Sequence, residues 1–310
     1  MTPSTILRRH ALAALARERT IVLVAALFAA LVLVSAYLGW SATSTVDAIY
    51  ASARHWFEAN GKPVPPNPVT EGSPLALLRN LTIYISLIGA FSAIVIGYRM
   101  VEADRRAGVL PLIGVRPLER LDYARGKISA LALAVGGLAT LAGVVGAATL
   151  AILPSVHLGT GDWARLAAFF ILGWFYMMTF GLIAIGASAR ARSETAGLMV
   201  PTVVWLVLTF VWPALTGNIL PTAAINPISA LAPAPHSATF DLSAALLGPL
   251  SQAEAYKYLG AELMGYLPEG LPPRGPVPPL VVMMLFAAGS GLYALRGCLK
   301  LDMTKGGPDA

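Results

Sequence analysis

ISALALAVGGLATLAGVVGAATLAIL, residues 128–153, decides the fold: it contains no Asp, Glu, Lys, Arg or His and follows directly on Gly126-Lys127. The hydrocarbon core of a bilayer is about 30 Å thick, and roughly 20 apolar residues in helix cross it. An ionised side chain at a helix centre costs about 2.5–3.5 kcal/mol on insertion scales, so an uninterrupted stretch of this length reads as a membrane span. Five further stretches qualify on the same grounds: 20–40, 80–98, 166–189, 197–217 and 278–295. Composition agrees. The 310 residues are 56% hydrophobic and 12% charged, with a mean hydropathy of +0.69, whereas soluble domains carry about 25% charged residues. An ordinary water-soluble enzyme is excluded, and so is disorder, which needs few apolar residues. The single cysteine, Cys298, excludes a disulfide scaffold and a multi-thiolate metal site and is read as inert.

The predicted fold is therefore all-α: one polytopic membrane domain over 1–310 with six transmembrane helices. Its orientation follows from the basic residues. Sixteen of the 22 Lys and Arg fall on the side that holds the 1–19 leader, the 99–127 loop, Arg190, Arg192 and the tail after span 6. The acids divide evenly, so the bias is the positive-inside pattern, and both termini are expected in the cytoplasm. A net charge of +6 is explained this way without nucleic acid. Tyr37, Trp40 and Trp163 are expected at outer interfaces and Tyr98 at an inner one. The first span is too long, and its polar leader too extended, for a cleaved signal peptide.

Two extracytoplasmic loops are large. Loop 41–78 opens with a predicted short helix that puts Ile49, Ala53, Trp56 and Phe57 on one face and ends at Asn60-Gly61. Loop 218–277 begins with an uncharged, Pro-broken stretch (218–240) that reads as a membrane-dipping segment sheltered by protein. An amphipathic helix over 251–267 follows, with Tyr256, Leu259, Leu263 and Tyr266 on one face. The Trp56/Phe57 helix and the Tyr256/Leu259/Leu263 face are the candidate docking surfaces for a periplasmic partner.

The spans contain no ionisable group, which excludes a proton relay or a voltage sensor, since those need charge at depth. No G-x-x-x-x-G-K-[ST] phosphate loop occurs, so energy for any transport has to come from a second subunit. The informative connection is 99–127. Glu102 and Arg106 make an i,i+4 pair on a helix continuing from span 2, and Gly108 permits a stop. An apolar knob, Val109-Leu110-Pro111-Leu112-Ile113, then sits inside a charged frame of Arg105, Arg106, Arg116, Arg120 and Lys127. A loop that only fixed topology would not need the knob.

The order Glu102, Gly108-Val109-Leu110, Arg116-Pro117, Arg120 and Gly126-Lys127 resembles the hallmark loop of ABC-2 type transporter permeases, which pattern covers a Glu, a Gly-x-Leu, a Pro, an Arg and a Gly-Lys opening span 3. The six-span plan and the large outer loop after span 5 are similar as well. Ser193-Glu194-Thr195-Ala196, Trp205, Trp212-Pro213 and Asn226-Pro227 resemble the branch that holds the nitrous-oxide-reductase maturation membrane subunit and sodium and multidrug export permeases. The resemblance implies a type V exporter-like architecture in a bacterial inner membrane. It also implies a dimer of permeases and two ABC ATPase subunits, with ATP and Mg bound in those subunits and no cofactor in this chain. Glu102–Lys127 would be the coupling element, the leader an interfacial connecting helix, and 218–240 the re-entrant helices.

Other candidates have plainer readings. Trp205, Thr209 and Trp212 share a face of span 5 and are candidates for lining a path or a dimer seam, although Trp also anchors helices against lipid. Ala132/Gly136/Thr140 and Ala139/Gly143/Ala147 form small-residue ridges suited to close packing. His55, His157 and His236 lie in separate outer loops and assemble no metal site. No nucleophile–base pair marks a catalytic centre. The alternative to a transporter subunit is a passive membrane anchor or assembly factor for a periplasmic, copper-enzyme maturation complex.

Overall fold

The computed structural model describes residues 2–17, 19–64, 66–67, 72–114, 119–153, 156, 158–216, 238–267 and 276–301. Among them the regular elements are all helical: α1 (Pro3–Arg17), α2 (Thr20–Ala59), α3 (Pro74–Arg106), α4 (Val109–Gly114), α5 (Arg120–Ile152), α6 (Thr160–Arg190), α7 (Glu194–Thr216), α8 (Ala238–Leu247), α9 (Gln252–Met264) and α10 (Pro279–Leu299). Six of these, α2, α3, α5, α6, α7 and α10, are long and apolar enough to cross a membrane. Each overlaps its predicted span almost throughout and runs a turn or more beyond it at six of the twelve ends. Much of the added helix is polar, as in residues 41–59 of α2 and 120–127 of α5.

The middle of the bundle is α6, which packs against α3, α5, α7, α9 and α10. Of its most apolar stretch 72% is buried, against 17% for α7 and 22% for α2, so these last two present apolar surface outward. Close approach to α6 is set by glycine. A Cβ on Gly97 of α3 would run into the Gly181 carbonyl oxygen, and one on Gly297 of α10 would lie 2.8 Å from that of Gly186. Where lipid replaces water there is no hydrophobic drive between helices, and such backbone proximity gives the dispersion contact that holds them. The predicted ridge on α5 serves α6 within the protomer: Gly143 faces the Phe170 ring, and the Trp174 indole donates to the Ala132 carbonyl at 3.1 Å.

Four expectations are corrected. The helix bearing Trp56 and Phe57 is not separate: α2 runs unbroken for 40 residues, because nothing between Trp40 and Ala59 breaks a helix. At 1.5 Å per residue it is about twice as long as a bilayer core is thick. Residues 44–49 are exposed, and the arm ends where Gly61 takes φ 62. Tyr98 is no interfacial anchor. It is buried between α3 and α7, 3.4 Å from where a Gly197 Cβ would be. The leader does have an apolar face, Leu7, Ala11 and Leu15, buried against the basic end of α5. Read as one helix through Arg19, the leader puts Leu12 and Leu15 on the same side as Arg8 and Arg19; Arg19 instead lies in the break before α2, at φ 56.

The fourth correction concerns α9. Its Ser251 hydroxyl caps the start by accepting from the Glu254 amide, and Gly265 ends it at φ 71. The face read as a docking surface turns inward. Tyr256 is fully buried and stacks on Tyr176 of α6 with ring centroids 4.5 Å apart, while Leu259 and Leu263 pack partly buried on the core. Apolar side chains on a short helix find their cover in the bundle itself. Stretch 218–237, which holds most of the expected membrane-dipping segment, lies outside the described residues.

Candidate functional site at the basic end of the bundle

The 99–127 connection is mostly helix, and its charged side chains tie helix ends together. α3 continues to Arg106, and Gly108 follows in the left-handed region at φ 61, where glycine avoids the Cβ clash. The short α4 then carries Val109 and Leu110. Leu110 is 1% exposed, so this part of the predicted solvent-facing knob is covered by its own chain, which corrects the sequence reading. Arg116 and Pro117 lie outside the described residues, as do the side chains of Leu112 and Ile113.

At the centre is a buried ion pair. Lys127 Nζ lies 2.7 Å from Asp104 Oδ2 and donates to the Met100 carbonyl at 2.7 Å. Tyr123 Oη donates to the same carboxylate at 2.9 Å, and His10 Nδ1 of the leader is 4.0 Å from its other oxygen. Lys127 and Asp104 are 1% and 2% exposed. Taking a charge out of water costs several kcal/mol unless partners satisfy it, and here each charge has two. The pair joins α3 to α5, with α1 laid over the junction at Gly126, where a Cβ would be 2.8 Å from Leu7 Cβ.

The arginines reach further. Arg105 Nη2 donates to the carbonyls of Ser188 and Ala191, at 3.0 and 3.4 Å, at the end of α6. Arg120 Nη1 donates to the Leu299 carbonyl, 2.9 Å away, at the end of α10. Both meet the negative end of a helix dipole, Arg105 sharing the Ser188 carbonyl with the Ala191 amide. Arg106 makes a two-pronged contact with Glu194 in the first turn of α7, at 3.0 and 2.6 Å. Ser193 caps that helix through the Ala196 amide. Glu102, 1% exposed, accepts from Arg105 at 3.2 Å. Its other oxygen is 3.7 Å from Arg106 and has no hydrogen-bond partner among the described residues. The predicted i,i+4 pair is thus the looser of Arg106's two carboxylate contacts.

Of the predicted coupling residues, Glu102, Arg105, Arg106, Arg120 and Lys127 form this set of brackets. Asp104, Tyr123 and Glu194 complete it. Sequence reasoning missed the first two as site residues and saw Glu194 only within a motif, although an Asp two residues after Glu102 on a helix leaving the membrane was a visible signal. The span 5 candidates go elsewhere. Trp205 packs on Phe91 and donates to the Ser86 carbonyl at 3.4 Å, Thr209 is buried, and Trp212 donates to the Leu247 carbonyl at 3.0 Å. Ser86 and Thr209 both sit in π-helical turns, Ile85–Gly89 and Val207–Val211. Such turns release carbonyls from the ladder, and the Trp205 indole satisfies one of them. On the outer arm, Trp56 is 53% exposed, set edge-on to Phe57, with Lys62 Nζ 4.8 Å above its ring. Among the described residues no three His, Cys, Asp or Glu side chains gather as metal ligands.

A helical bundle with six membrane-spanning lengths among the described residues, bracketed by charge at one end, defines a polytopic integral membrane protein. Residues 7–256 match the family described as ABC-2 family transporter protein, and the chain belongs to it. The match is to the family as a whole and selects no branch within it. Comparison with curated proteins gives no match.

Proposed function

We propose that this chain is the membrane half of an ATP-driven ABC-2 transporter, working as two copies with two ATPase subunits on the basic face in a bacterial inner membrane. The observation that carries this reading is the reach of the α3–α5 connection. Through Lys127, Arg105, Arg106 and Arg120 it links the basic ends of α3, α5, α6, α7 and α10. A subunit pressing on α4 would move five spanning helices together, with no ionisable group needed inside the membrane. The same relay serves export of a substrate or mechanical signalling to an extracytoplasmic partner. The α2 arm, with Trp56 and Phe57 exposed beyond the span, supplies a contact surface for the second. The outward apolar faces of α2 and α7 are where a second copy would seat.

The test is co-expression with an ATPase encoded beside this chain, followed by purification in mild detergent. A complex of two copies of each chain is expected, and Leu112→Asp on α4 should release the ATPase while leaving the membrane subunit folded. A monomer without ATPase, or full ATPase binding by Leu112→Asp, would refute the reading. ATPase bound with no change in turnover would instead indicate a passive anchor.

A further inference from the structure

At the opposite end, the start of α3, one face of α9 and the approach to α10 enclose a cavity of about 650 Å³. Its lining is of two kinds. Arg79, Asn80, Glu254, Lys257 and Tyr258 are polar or charged. Ile83, one turn along α3 from Arg79, is apolar, as are Ala255, Ala261 and Val277. The Tyr266 hydroxyl, bonded to Thr82 Oγ1 at 2.9 Å, ties the end of α9 to α3 and holds the cavity open between them.

The charges do not cancel. The lining holds two cations, Arg79 and Lys257, against one carboxylate, Glu254, whose Oε1 lies 3.5 Å from Lys257 Nζ. Arg79 is exposed and directly precedes the uncharged stretch that begins at Asn80, a position from which an arginine head reaches the headgroup level. A lining that joins a net cationic part to an apolar part, beside the start of a membrane-spanning helix, is complementary to a molecule with an anionic head and a hydrocarbon tail. A free anion would leave the apolar part unfilled.

We propose that this cavity binds one anionic amphiphile of the outer leaflet, a lipid whose phosphate is held by Arg79 and Lys257 and whose chain lies against Ile83 and Val277. Nothing in the coupling role assigned to the basic end requires such a site, and the two readings stand or fall separately. The experiment is native mass spectrometry of the full chain in detergent, titrated with phosphatidylglycerol, with phosphatidylcholine of the same acyl chains, and with inorganic phosphate. Phosphatidylglycerol should bind about tenfold more tightly than phosphatidylcholine, as one additional charge-assisted contact implies. Arg79→Ala should remove that preference and Arg79→Lys retain most of it, while Arg165→Ala, which removes an outer cation remote from the cavity lining, should change nothing. Ile83→Trp should weaken lipid binding by filling the apolar half, and a melting curve for each variant shows that it is folded. Equal binding of the two lipids, phosphatidylglycerol affinity unchanged in folded Arg79→Ala or Ile83→Trp, or displacement by equimolar inorganic phosphate would overturn the proposal.

Discussion

Lys127→Met separates a structural bracket from a docking contact. Lys127 and Asp104 are 1% and 2% exposed and 2.7 Å apart, so removing the ammonium strands a carboxylate away from water with Tyr123 as its remaining close donor. Breaking a buried pair on one side costs about 3–5 kcal/mol, whereas replacing both partners by apolar groups is often close to neutral. In Lys127→Met/Asp104→Leu the Tyr123 hydroxyl loses its acceptor, at about 1–3 kcal/mol. The double variant should therefore be more stable than the single one, with a coupling energy of about 2 kcal/mol or more. At roughly 2–4 °C per kcal/mol for chains of some 200 residues, Lys127→Met should lower the melting temperature by about 6–20 °C. The assay is thermal unfolding of the isolated subunit in detergent, without ATPase. A melting temperature within 2 °C of wild type for Lys127→Met, or single-variant losses that simply add in the double, would refute the reasoning. In the first case Lys127 would belong to a partner's surface instead.

Three further outcomes are expected. Gly97→Ala drives a methyl into the Gly181 backbone and should cost about 1–3 kcal/mol, whereas Gly137→Ala, with nothing within 4 Å, should be neutral or stabilise by up to about 1 kcal/mol; paired melting curves compare them. Tyr256→Ser empties a fully buried, stacked position and should destabilise the subunit by about 3–5 kcal/mol, visible as a lower melting temperature before any partner is added. Arg106→Ala removes a solvent-screened contact, so the fold and ATPase binding should persist while the first turn of α7 exchanges amide hydrogens faster; unchanged exchange there would show that Arg106 does not hold α7.

The spans were legible because their signal is local: each is a stretch without an ionisable residue, long enough to cross a bilayer. The coupling loop was legible as a place, through Glu102, Gly108 and Lys127, but not as a structure. Whether Leu110 faces water or its own chain depends on how α4 folds back on α3, and no periodicity records that. α9 failed for the same reason. Tyr256, Leu259 and Leu263 do form an apolar face, and amphipathicity reports that such a face is covered without reporting by what. Asp104 was passed over because an acid beside Glu102 and two arginines reads as one more solvated charge until Lys127 and Tyr123 are brought to it across the fold.

The distribution of charge bears on where movement enters the bundle. Arg105 is 12% exposed and holds α6, the most buried helix, through two backbone carbonyls that no side-chain change can remove. Arg106, one residue on, is 50% exposed and holds α7, the least buried, through a single carboxylate. The two brackets leave the same turn of α3 yet differ in strength, since water screens the second far more than the first. A displacement of α3 would thus carry α6 and α7 with it, the α6 contact being the firmer of the two. The unpartnered oxygen of Glu102, 3.7 Å from Arg106, provides an acceptor on α3 itself once Glu194 lets go.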